Sequence, residues 1–212
     1  MCMIQPVIIF GAGLTGKLAL DAFHSNDVVV YGFLDDDAKL HGKEIGEIPV
    51  LGMTENEGFL KLIGRKCDAF IAAESLKERR FLFDMVVENR KTMPANAIHR
   101  QAWVSPYAKL LHGNLISAGA GIAAFARIGN GNLIHPNAVI ETEAVLGDHV
   151  QVGSGSVIGR EAEIGDGAFI GAGCTVIQGI KIGKNASIGA GSVVMADVPA
   201  NAKVFGVPAK PL

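Results

Sequence analysis

From Val104 to Val194 an aliphatic residue stands at every sixth position, sixteen times without a miss. Four residues after most of them comes a small one, such as Ala120, Ala138, Ala162 or Cys174, and glycine often follows the aliphatic residue directly, as at Gly129, Gly147 and Gly171. A period of six fits neither a helix face nor a simple alternating strand, and fixed self-similarity of this kind marks a solenoid. Three sixes make one triangular coil, with a short strand per side and a turn per corner. The aliphatic residue points inward, and the small residue lets the chain turn near the axis. With 27 glycines and only 6% aromatics, the composition suits a narrow core of this type. The inward residues are structural, so none of them is a site candidate.

The N-terminal third reads differently. Pro6–Phe10 is a short apolar run ending in Gly11-Ala12-Gly13-Leu14-Thr15-Gly16, and a helical pattern follows from Leu14 to Phe23. Strand, glycine turn and helix together give the G-x-G-x-x-G string its meaning: glycines let the backbone approach a phosphate, and a helix N-terminus offers it free N–H groups. The other reading is a tight turn with no ligand. A buried-strand run, Val28–Leu34, then closes in Asp35-Asp36-Asp37, where a carboxylate can accept from a ribose or base donor. A possible hairpin (Gly42–Leu51), a helix near Thr54–Ile63, a strand at Cys67–Ala73 and an amphipathic helix over Ser75–Lys91 complete the stretch. Alternating β and α elements imply a parallel sheet. About a hundred residues hold one nucleotide-binding half rather than two, which argues against a dehydrogenase.

Charge excludes other classes. With 19 basic and 21 acidic residues among 212, and no basic cluster beyond Arg79-Arg80, nothing suggests a nucleic-acid surface. Cys2, Cys67 and Cys174 lack metal spacing and favour a reducing compartment. The opening MCMIQPVIIFGAG has no basic n-region, and its apolar run is short. Neither a leader nor a membrane span is expected, so the expected location is cytoplasmic. No metal site is expected, because His112, His135 and His149 are 23 and 14 residues apart, neither a whole coil.

The six-residue pattern resembles the left-handed parallel β-helix of the hexapeptide-repeat acyltransferases, and the left hand comes from that resemblance alone, since the general crossover preference is right-handed. The order IIFGAGLTGK, GFLDDD, IPVLG, FIAAESLKERR, IHRQAWVSPYA, the coils and a closing VFGVPAK covers nearly the whole chain. It is similar to bacterial nucleotide-sugar N-acetyltransferases of the bacillosamine and perosamine type, and to the related sialic-acid O-acetyltransferases. The resemblance implies a Rossmann-like nucleotide-sugar domain over 1–100, a left-handed β-helix over 101–198 and a capping tail over 199–212. It places Gly11 and Gly13 at the phosphates, Asp35 and Asp36 at the base, and Ala72 and Ala73 beside the nucleotide of a UDP or GDP sugar. It further implies a homotrimer with acetyl-CoA as co-substrate in a groove between subunits. Gln151, Gly153, Arg160, Gly171, Ala172, Gly189, Ala190 and Lys210 would contact the coenzyme, Lys184 and Lys203 being further candidates for its phosphates.

One departure stands out. The resemblance implies a catalytic histidine followed by an acid, in a pattern like V-[DE]-H-[DE]-C-V-I-G-D, whereas this chain reads Val139-Ile140-Glu141-Thr142-Glu143-Ala144-Val145-Leu146-Gly147-Asp148. Thr142 occupies the histidine position and cannot act as a base near neutral pH; Glu143 keeps the acid. Gln151 stands where the family often has a second histidine, and Arg160 where it favours a small residue whose backbone N–H polarises the thioester. His135, seven residues before Thr142, is the candidate replacement base or partner of Glu143; its other reading is a solvated turn residue before Pro136. The expected activity is acetyl transfer from acetyl-CoA to a nucleotide-linked amino sugar for a surface glycan. Sugar O-acetylation and a silent nucleotide-sugar-binding trimer remain as alternatives.

Overall fold

The computed structural model describes residues 5–211, and the reading of the first four residues, Cys2 included, lies outside them. The chain forms two compact units, Met1–His99 and Arg100–Leu212.

In the first unit, β1 (Val7–Phe10) is a fully buried interior strand of a sheet, followed by α1 (Leu14–His24), β2 (Val30–Leu34), β3 (Glu44–Ile45), β4 (Ile48–Gly52), the single turn α2 (Glu57–Leu60), β5 (Asp68–Ile71) and α3 (Leu76–Arg90). The strand order is β3-β4-β2-β1-β5; β2 and β5 flank β1 in parallel, and β3 joins β4 as an antiparallel hairpin at the edge. Two elements are shorter than their patterns suggest. β2 starts at Val30 because the Val28 N–H is still bound to the Phe23 carbonyl and Asp27 takes a left-handed conformation to turn the chain. α2 is confined to one turn between the Asn56 cap, which accepts from the Gly58 N–H, and left-handed Gly64. Ile8, Phe10, Leu34, Ile71, Leu82 and Val86 form part of the core below the sheet ends.

The second unit is built by repetition. Its first face stacks six two-residue strands from Trp103–Val104 to Val193–Val194, and its second stacks five from Lys109–Leu110 to Lys181–Ile182. The third runs from Leu115–Ile116 through Ser187–Ile188 to Lys203–Phe205, with Lys210–Pro211 antiparallel at the end. Each strand pairs in parallel with the one a full coil later, as Val139 with Val157 and Ile140 with Ile158. These stacked sheets are those of a left-handed parallel β-helix. Fourteen of the sixteen ladder residues are buried; Val104 and Leu110, on strands with a neighbour on one side only, are half-buried.

Glycine after the inward residue is a demand of stacking on all three edges. A Cβ on Gly171 would lie 2.5 Å from the Ala190 backbone nitrogen, and one on Gly159 2.7 Å from that of Gln178. The third corner residue takes the left-handed conformation, glycine or not, including Phe125, Asn137, Glu143, His149 and Glu161. The strained backbone of Glu143 is therefore a property of the architecture and marks no site by itself. The tail, expected as a cap, contributes Lys203–Phe205 as a further rung on the third face, with Val204 paired to Ile188.

Candidate functional site

In an open parallel sheet, ligands sit beyond the carboxyl ends of the strands where the strand order reverses. Here that point lies between β1 and β5, since the chain moves from β1 outward to β2 and later returns to β1's other side. A cleft of about 400 Å³ opens there, lined by Gly11, Gly13, Asp35, Ala72, Ala73, Glu74, Ser75 and Glu78. Its narrowness is set by glycines. A Cβ on Gly11 would lie 3.0 Å from the Ala72 carbonyl carbon, and one on Gly16 would overlap the Gly11 oxygen, keeping α1 close against β1.

The structure thus gathers Gly11, Gly13, Asp35, Ala72 and Ala73 into one wall. Asp36 stands apart from it: its carboxylate accepts from the Thr54 N–H at 2.8 Å and from the Thr54 hydroxyl at 3.0 Å, tying the β2 end to the segment after β4. Asp35 stays in the wall, where it accepts from the Ala12 N–H (2.7 Å) and the Asp37 N–H (2.8 Å).

Three contributors were not picked out from the sequence. Glu74 reaches across from the end of β5 to accept from the Leu14 N–H at 2.7 Å, at the first turn of α1. Glu78 lines the same cleft, and burial, then the nearby Asp35 and Asp36 charges, raise its pKa above the ordinary carboxylate value. Arg79 is only 2% exposed, and its Nη1 donates to the Ala73 (3.1 Å) and Glu74 (3.3 Å) carbonyls, holding the cleft's floor in place. Burial, with a smaller contribution from Arg80, lowers its pKa to about 10. The available signal was position: all three fall within FIAAESLKERR, directly after a strand that ends at the crevice.

On the β-helix the candidates fall on two different edges. Between the third and first faces, residues 135–138, 153–156, 171–174 and 189–192 form one edge, which carries His135, Gly153, Gly171, Ala172, Gly189 and Ala190. Between the first and second faces lies another, which carries Thr142, Glu143 and Arg160. The two edges are a side apart, up to ~20 Å for six residues at ~3.3 Å each. Within one chain, therefore, His135 and Glu143 do not partner each other; only a second copy could bring the two edges together.

Half-buried His135 has its Nε2 3.1 Å from the side-chain nitrogen of Gln151, on the strand that follows one coil later. With the amide nitrogen turned to the ring, the tautomer protonated on Nδ1 is the one that accepts at Nε2. Gln151 thus holds the imidazole from the strand one coil later. On the second edge, the Arg160 N–H donates to the Glu141 carboxylate (3.0 Å), and its guanidinium donates to the Gln178 side-chain oxygen (3.2 Å). Lys210 is exposed on the final strand. Among the described residues, no cluster of His, Cys, Asp or Glu is placed to hold a metal ion, and no helix is long and apolar enough to cross a membrane.

Coil and repeat together define a hexapeptide-repeat protein, and the family profile described as bacterial transferase hexapeptide (six repeats) matches residues 125–160 and 161–196. No curated protein matches by sequence. Among solved structures, a histidine-to-alanine mutant of GDP-perosamine N-acetyltransferase from Caulobacter crescentus, in complex with CoA and GDP-perosamine, is 30% identical with a TM-score of 0.90, over 99% of this chain and 97% of that one. The acetyltransferase domain of PglB from Neisseria gonorrhoeae, in complex with acetyl coenzyme A, is 25% identical with a TM-score of 0.89, over 98% of this chain and 99% of that one. The chain belongs to the hexapeptide-repeat acetyltransferase family that includes perosamine N-acetyltransferase.

Proposed function

We propose that the chain transfers the acetyl group of acetyl-CoA to the amine of a UDP- or GDP-linked amino sugar, with His135 as the base in place of the histidine that Thr142 replaces. The observation that carries this reading is the likeness to perosamine N-acetyltransferase across both units, since that relative was captured with CoA and GDP-perosamine together. It was captured so as a histidine-to-alanine mutant and as a histidine-to-asparagine mutant, so loss of a histidine is compatible with holding both ligands in that fold.

In this mechanism the cleft at the β1–β5 crevice holds the nucleotide, and the glycine edge of the β-helix receives the pantetheine arm. The sugar amine displaces Gln151 from His135 Nε2 and attacks the thioester carbonyl carbon. His135 takes the proton released as the C–N bond forms, and returns one to the CoA sulfur as the C–S bond breaks. Arg160 pairs with a CoA phosphate, a role for which a guanidinium is suited.

The reading includes a homotrimer, because the two edges must come from neighbouring copies for His135 to approach Glu143. Its support is apolar surface on the first face and second edge: Trp103, Tyr107, Phe125, Val139, Ile177 and Met195 are all exposed, with Tyr107 stacked on Phe125 at 5.4 Å. Replacing Trp103 and Phe125 together by serine should yield monomers in sedimentation and abolish turnover; a monomeric, fully active double variant refutes the shared site.

The activity is tested by incubating the chain with acetyl-CoA and a panel of UDP- and GDP-4-amino sugars while following free thiol. Release that depends on one amino sugar is the expected result. Binding of both ligands by calorimetry with no thiol release from any amino sugar contradicts the transferase reading.

A further inference from the structure

In the glycine loop that would receive a phosphate, three amides are already engaged. The Gly11 N–H donates to the Leu34 carbonyl, the Ala12 N–H to the Asp35 carboxylate, and the Leu14 N–H to the Glu74 carboxylate. Two of these acceptors are anions from outside the loop, and Glu74 sits at the first amide of an eleven-residue helix, where the dipole is most positive. A Cβ on Gly13 would lie 2.8 Å from Glu74 Oε1, so the carboxylate fills the space over the loop. The residues lining the cleft bring three carboxylates, Asp35, Glu74 and Glu78, and no lysine or arginine. The nearby Arg79 is buried and turned to the Ala73 and Glu74 carbonyls.

Resting on the nucleotide-sugar reading above, we propose that Glu74 is a built-in stand-in for phosphate that sets what the cleft selects. Its carboxylate holds the α1 amide in the free protein, and a nucleotide's phosphate reaches that amide only by displacing it. Recognition then comes chiefly from the uncharged part of the nucleotide, whose ribose hydroxyls and base N–H groups are donors suited to a carboxylate-lined wall. Of the two carboxylates on the loop, Glu74 is the displaceable one: it is exposed, whereas half-buried Asp35 is also tied to the Asp37 N–H. The arrangement discriminates against free phosphate and pyrophosphate, which offer nothing to the wall in return for removing Glu74.

The test is calorimetry of the full chain, in EDTA, with uridine, guanosine, UDP, GDP and pyrophosphate, on wild type, Glu74→Ala and Glu78→Ala. Glu74 is exposed, so the variant keeps the fold, which thermal melting verifies. Glu74→Ala should bind the favoured diphosphate about two- to five-fold more tightly, by the magnitude of one exposed charge at a helix end. It should also gain pyrophosphate binding, while nucleoside affinity stays unchanged. Glu78→Ala, which removes an equal charge that does not hold an amide, should gain clearly less. Equal gains in the two variants, or no gain in Glu74→Ala while wild type binds UDP or GDP, overturn the role of Glu74 and leave the nucleotide reading standing. Failure of every nucleoside and nucleotide to bind any of the three proteins overturns both.

Discussion

The two units reach stability by opposite routes. In the β-helix a position is one of sixteen equivalents, each an aliphatic side chain stacked on its counterpart eighteen residues away, as Ile140 on Ile158. In the α/β unit each polar contact occurs once: Arg79 under the Ala73 and Glu74 carbonyls, Asp36 on Thr54, Asn26 on the Ile98 carbonyl. Repetition makes a site's scaffold easy to specify but says little about chemistry, because every inward residue answers to packing. Unique contacts do the reverse, each fixing one segment in place, and those of Asp35, Glu74 and Arg79 gather at the crevice.

The contrast is most severely tried by a charge in the ladder. Ile140→Asp places an unpaired carboxylate at a site with 0% exposure and should cost at least about 4 kcal/mol, enough to unfold the coils, read by guanidinium denaturation. A loss below about 1 kcal/mol would mean that the ladder is not the inner wall. Next in size is Arg79→Met, which keeps volume but leaves two carbonyls without their donor; about 2–3 kcal/mol is expected in the same assay, with weaker nucleotide binding as the floor of the cleft loosens. An unchanged midpoint would show Arg79 to be dispensable for that floor.

Gly171→Ala should cost about 1–3 kcal/mol, because the new Cβ overlaps the Ala190 backbone and the coils must part. Gly155→Ala, on the same edge with nothing near its Cβ, keeps only the cost of its positive φ and should be milder. The smallest effect is the sharpest on equivalence. Ile158→Val and Ile170→Val, both fully buried on different faces, should each cost about 1 kcal/mol and agree within about 0.5 kcal/mol in chemical denaturation. A larger disagreement would show the rungs to be individually packed.

Much of this architecture was legible in the sequence because a period of six admits few folds, and the ladder runs from Val104 to Val194 unbroken. Gly11, Gly13, Asp35, Ala72 and Ala73 were readable because they end strands that share a crevice. Asp36 illustrates the limit: its neighbour in sequence faces the cleft, while its own carboxylate is taken by Thr54, eighteen residues on. Glu74 and Arg79 escaped notice for a similar reason, since their roles depend on a cross-sheet contact to Leu14 and on burial beneath a loop. The separation of His135 from Glu143 follows from counting corners once the strand positions are known, which motif comparison alone does not do.

The most direct measurement is the acetyl-transfer rate of wild type against His135→Asn, at saturating acetyl-CoA and with the nucleotide amino sugar that turns over. Asparagine keeps a polar side chain beside Gln151 and removes the basic nitrogen. A base at that position predicts a fall of roughly 100-fold or more, with the acidic limb of the wild-type pH–rate profile lost in the variant. Equal rates in the two proteins would take the proton away from His135 and leave this β-helix without its proposed base.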